Sequence, residues 1–141
     1  MRTFVSWWRN SSGTSAVEFA ILAPVFMGMV TGLMAYGLYF GASHSLQQLA
    51  ADAARVSVAG VNTRERNKLV ETYLATNADF YILIEGDRVE HVIGNLATDP
   101  NYYQVTLTYD ASNLPIWNLY PPLPLPSQDI SYTSTIRRGG E

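Results

Sequence analysis

The chain contains no cysteine, which excludes a disulfide framework and any thiolate metal site. Histidine is scarce: His44 and His91 are the only two, too far apart in sequence to form a ligand pair or an H-E-x-x-H motif. A glycine-rich phosphate loop is missing as well. Nucleophilic and zinc catalysis therefore lack their residues, and the expectation is a protein that is not an enzyme, with no catalytic residue, cofactor or metal. Asp79, Glu85, Asp87, Glu90 and Asp110 are scattered without EF-hand spacing and read as acids that solvate loops. Nor is there an excess of basic residues. The net charge is −3, against nucleic acid as a partner, because phosphate binding needs clustered Lys and Arg.

The most informative absence is local. From Phe19 to Ala42 the chain runs 24 residues without one Asp, Glu, Lys, Arg or His. About 20 apolar residues, at roughly 1.5 Å of rise each, cross a hydrocarbon core of about 30 Å. The run is long enough to span a membrane, and membrane lipid is its expected surroundings. A secretory signal peptide is the competing reading, with Phe40-Gly41-Ala42 as its cleavage site. Its apolar region would be only about 7 to 15 residues, so length disfavours it.

Ahead of the run stands Gly13-Thr14-Ser15-Ala16-Val17-Glu18-Phe19, with an acid set directly against apolar sequence. The macrodipole favours negative charge at a helix start, which accounts for Glu18 but not for the glycine or the basic leader before it. Met1 to Gly13 carries Arg2 and Arg9 and no acid, so the positive-inside rule places this end in the cytoplasm. Trp7 and Trp8 suit the headgroup level.

Taken together, the leader, Gly13, Glu18-Phe19 and the long apolar helix resemble the type IV prepilin signal. The nearest likeness is to TadE-like minor pilins (pseudopilins) of tight-adherence, or Flp, pilus systems. The resemblance covers Gly13 to Ala59 and is weak beyond, apart from a Ser/Thr-rich final strand ending Ile136-Arg137-Arg138. It implies a prepilin peptidase cut between Gly13 and Thr14, with Glu18 and Phe19 as the acidic-aromatic pair of the processing motif. Loss of two arginines would take the net charge from −3 to −5. It also implies other pilins or pseudopilins and an inner-membrane assembly platform as partners. The expected location is the inner membrane, single-pass, with the C-terminal domain outside or in the pilus. Within this family, the length fits a minor rather than a major subunit.

The expected organisation is a leader (1–13), a transmembrane and assembly helix (14–60) and an extracytoplasmic α+β domain (61–141). Pro24 interrupts the apolar run and should kink or loosen the helix. Gly28 with Gly32, and Gly37 with Gly41, are small-x-x-x-small pairs that let a neighbouring helix approach. Tyr36, Tyr39 and Phe40 fall where an aromatic belt would lie. Leu46, Leu49, Ala50, Ala53, Ala54 and Val56–Val58 continue a helical period, and Gly60 is the expected stop.

Asn62 and Glu65 read as an N-cap and capping-box pair opening a short helix to about Thr76. Phe80–Ile84 and Arg88–Ile93 read as a hairpin turning at Gly86-Asp87. Tyr102–Tyr109 and Ile130–Arg137 alternate as two further strands. About four antiparallel strands, packed on the outer half of the long helix, complete a pilin-like α+β fold. Asp110 to Ser127 is a long proline-rich connection holding Ile116, Trp117, Leu119 and Tyr120. Two readings stand: a stiff loop presenting these side chains to a partner, or one that folds back over the sheet. The first would suit an uncleaved, membrane-anchored adhesin or envelope scaffold, the alternative function.

Overall fold

The computed structural model describes residues 11–119 and 124–137, with only the backbone of 11–13. The expectations for Arg2, Trp7, Trp8, Arg9, Tyr120 and Arg138 lie outside the described residues. One helix dominates: α1, Ser11–Ser57, is 47 residues long, about 70 Å at 1.5 Å per residue. It passes through Pro24 without a break in its assignment. The other elements are α2 (Thr63–Asn77) and strands β1 (Val89–Asn95), β2 (Tyr102–Asp110) and β3 (Asp129–Arg137). The strands form an antiparallel sheet of order β1-β2-β3.

The lower half of α1 buries a stripe of Ala42, Leu46, Leu49, Ala50, Ala53, Ala54 and Ser57. This is the i, i+3, i+4 pattern of one helical face. Its alanines let the sheet come close, while Leu46 and Leu49 supply about 1.5–3 kcal/mol of burial each. Opposite them stand Tyr103, Val105, Leu107 and Tyr109 of β2, all fully buried, with Ile130 of β3 beside them. Tyr132 and Ile136 complete the inward face at half-burial. The two buried tyrosine hydroxyls are not left unpaired. Tyr103 donates to Asn67 Oδ1 at 2.8 Å and Tyr109 to Asn113 Oδ1 at 3.0 Å. Burial pushes the Tyr103 phenol up to about 12.

The start of α2 forms as the sequence indicates. Asn62 Oδ1 accepts from the Glu65 amide, and Glu65 Oε2 accepts in return from the Val61 amide, both at 3.0 Å. The reciprocal bond reaches one residue before the cap, a variant of the capping box. Asn62→Ala should cost about 1 kcal/mol of unfolding free energy in a denaturant titration, the usual loss for a removed N-cap.

Two sequence expectations are corrected here. The sheet has three strands, not four. Phe80–Ile84 is not a strand: Ala78–Phe80 is a 3-10 turn, and a tight turn closed by Ile84 N–H to Tyr81 C=O follows. Asp79 Oδ1 accepts from the Gly86 amide at 2.6 Å, folding residues 79–86 into a closed loop. Gly86-Asp87 then begins a 3-10 turn, and β1 pairs with β2 instead of with the residues before it. Gly60 also differs in role. Its backbone is not left-handed; a Cβ there would lie 2.6 Å from Arg66 Cγ, so the glycine is required by close approach.

Candidate functional site

The upper half of α1 is bare. Among the described side chains from Thr14 to Met34 none is buried, and Phe19 and Leu33 are 72 % and 73 % exposed. Val17, Ile21, Leu22, Val25, Phe26, Met27 and Met29 are exposed too. In water this surface would be heavily penalised, at about 25 cal/mol per Å² of apolar area. The helix is long and apolar enough to cross a membrane, with a mean hydropathy of 1.8 in its most apolar window, none of which is buried. The only hydroxyl in its middle, Thr31, donates to Met27 C=O at 2.8 Å and so needs no outside partner. Length, composition and exposure together suggest a membrane anchor.

The motif residues sit at the tip of this bare rod. Gly13 is helical in backbone, and Thr14, Glu18 and Phe19 are exposed on the first turns. Pro24, Gly28 and Gly32 are on the bare half as well, Gly28 and Gly32 four residues apart on one face. The second glycine pair divides. A Cβ at Gly37 would meet nothing within 4 Å, whereas one at Gly41 would come 3.0 Å from Leu83 Cδ1. Gly41 thus receives a side chain of its own chain.

Where the domain begins, aromatic residues gather. Tyr36 donates its hydroxyl to Pro124 C=O, and Tyr39 stands edge-on to Trp117 with ring centroids 6.5 Å apart. Trp117 is held in turn by its indole N–H, which donates to Ala111 C=O at 2.7 Å. Ile116 is only 1 % exposed, Leu114 is buried, and Leu119 and Leu125 pack on the core. The described part of the proline-rich loop folds back onto the head. Ile116 is buried, and Trp117 and Leu119 are partly buried against the core.

One polar assembly had no signal in the sequence. Asp52 of α1 pairs with Arg55 and accepts from the Tyr81 hydroxyl at 2.8 Å, and Tyr81 in turn meets the Tyr73 hydroxyl of α2 at 2.8 Å. The chain ties both helices to the 78–84 loop. Burial, then the bonds to Tyr73 and Asp52, raise the Tyr81 pKa well above the phenol range, keeping it neutral. At the far end of the loop Arg88 spans Glu85 and Asp110 at 2.9 and 3.1 Å. Ser112 and then Arg88 hold the Asp110 carboxyl below its usual value. Both clusters are structural. His44 and His91 are exposed and apart, and no group of three metal-ligating side chains occurs among the described residues.

Comparison with known protein families gives one match: residues 13–55 fit the model of the TadE-like proteins. The long helix is TadE-like. The match opens on Gly13, the glycine of the motif, and closes at Arg55 in the last turn of α1. It therefore spans the Gly13 to Phe19 stretch, the bare half and most of the packed half. The sheet and α2 lie outside it. No curated protein and no solved structure matches the chain. A TadE-like helix suggests a minor pilin associated with a tight-adherence pilus.

Proposed function

We propose that the protein is a minor pilin, or pseudopilin, that is trimmed after Gly13 by a prepilin peptidase and takes part in assembling a tight-adherence pilus. The observation that carries this reading is the union of a TadE-like match with a bare apolar half-helix projecting from a folded head. Arg2 and Arg9 favour a cytoplasmic N-terminus, with the head outside the inner membrane. The partners are the peptidase, neighbouring pilins or pseudopilins and the inner-membrane platform. The packing of Ile116, Trp117 and Leu119 on the head supports the pilin reading over an adhesin or scaffold.

The onset of packing supports a position for the lipid along the helix. Packing begins at Ala35, so the free segment of a processed chain is Thr14 to Met34, 21 residues or about 31 Å at 1.5 Å per residue. That length matches a hydrocarbon core of about 30 Å. The span is thereby shifted toward the N-terminus of the charge-free run, which brings Glu18 about 6 Å inside the membrane edge, four residues from the new terminus. A carboxylate there is costly, and a partner that neutralises it during assembly relieves the cost.

Deletion of the gene in a piliated host should remove or sharply reduce the filaments seen by electron microscopy, with recovery on complementation. Unchanged piliation in the deletion strain would contradict the proposal.

A further inference from the structure

Two pieces of the head meet α1 at one height. Loop residues Trp117 and Pro124 contact Tyr39 and Tyr36, while Leu83 contacts Gly41. Tyr39 and Gly41 lie about 160° apart around the axis at 100° per residue, so the head grips the helix from nearly opposite sides. Phe40 stands in the gap between them, 53 % exposed. This is where the bare half emerges.

The turn that carries Leu83 has the wrong chemistry for water. Its central residues are Ile82 and Leu83, and Leu83 takes a left-handed backbone (φ 64°). Tight turns facing solvent favour Gly, Asn or Asp at such positions, and a branched apolar residue there is strained. Ile82 is 78 % exposed and Phe80 80 %. Two large apolar side chains, Ile82 on the strained turn and Phe80 just before it, thus face outward beside Gly41, about 10 Å along the helix from the end of the free segment at Met34.

We infer that the Phe80–Leu83 turn is a membrane-contacting wedge, with Phe80 and Ile82 reaching into the outer headgroup layer of the bilayer that α1 spans. This rests on the membrane-anchor reading of α1. Phe40 joins the same layer, where aromatic rings are favoured. A second contact beside the single helix fixes the height and tilt of the head over the membrane, as interfacial anchors do. The glycine at position 41 is what lets the turn sit against the rod.

The chain lacks cysteine, so one introduced cysteine takes one spin label. The full chain, in vesicles of phosphatidylethanolamine and phosphatidylglycerol, would carry the label at Ile82→Cys, Leu33→Cys or Val92→Cys. Accessibility to oxygen is compared with accessibility to a water-soluble nickel chelate. Expected are a label at 33 that favours oxygen severalfold, a label at 92, on the exposed side of β1, that favours nickel, and a label at 82 that falls between them. A label at 82 as nickel-favouring as that at 92, with an immersed label at 33, overturns the wedge and leaves the anchor intact. A nickel-favouring label at 33 overturns the anchor, and the wedge with it. A label at 82 shielded from both reagents, and released when protein is diluted into lipid, assigns the turn to a second copy and likewise overturns the wedge.

Discussion

Glu18→Ala is expected to insert into the membrane normally and to fail in assembly. Insertion survives because removing a carboxylate from Thr14–Met34 makes the segment more apolar, not less. Assembly suffers because the acid is the only ionisable side chain on the bare helix. Unpaired, a charge at the bilayer centre costs about 2.5–3.5 kcal/mol, and less near the edge. On the proposed cut after Gly13, the new Thr14 amine, whose ordinary pKa is about 7.7–8.0, would be largely protonated at neutral pH and would be the counter-ion when supplied by a neighbouring subunit. A recovered interaction of about 1.4 kcal/mol changes an association constant about tenfold. Glu18→Gln keeps the shape but loses the charge, so it should share the defect. Wild-type filament numbers in Glu18→Ala cells, with the protein at normal level, would refute the pairing.

Ile116→Ala should destabilise the head by about 2–5 kcal/mol, measured by denaturant unfolding in detergent. Ile116 is enclosed by the fold-back of the proline-rich loop. Truncating a fully buried isoleucine removes its transfer energy and leaves a cavity that the surrounding structure closes only in part. For a domain whose whole stability is about 5–15 kcal/mol, that loss is large. Asn118→Ala, two residues on and exposed, should stay within about 0.5 kcal/mol of the parent. Equal, small effects at both positions would mean that the loop stands away from the core and presents Ile116 outward.

These two residues also show what could be read from the chain in advance. Glu18 stands out because an acid set against a 24-residue uncharged run has no bland explanation once the glycine and basic leader are included. The cap at Asn62 and the alternation of β2 and β3 were equally legible, since each is a local rule satisfied by local residues. Ile116 was ambiguous because a proline-rich loop has no period, and only packing on the core decides which way it folds. Phe80–Ile84 misled for the opposite reason. A short apolar run carries no face information, so strand, buried helix and apolar turn look alike. Its true form depends on Tyr81 reaching Asp52, 29 residues earlier, and on Asp79 capturing the Gly86 amide. The register of the span was hidden too. The run from Phe19 to Ala42 does not reveal that packing against the head begins inside it, at Ala35.

The central claim is that this rod is trimmed at its tip before it is used. Intact-mass and N-terminal peptide spectrometry of the membrane-purified protein, from cells with and without the prepilin peptidase, tests it most directly. The account predicts a chain beginning at Thr14 in the first and at Met1 in the second. A chain still beginning at Met1 in piliated cells that possess the peptidase would contradict it.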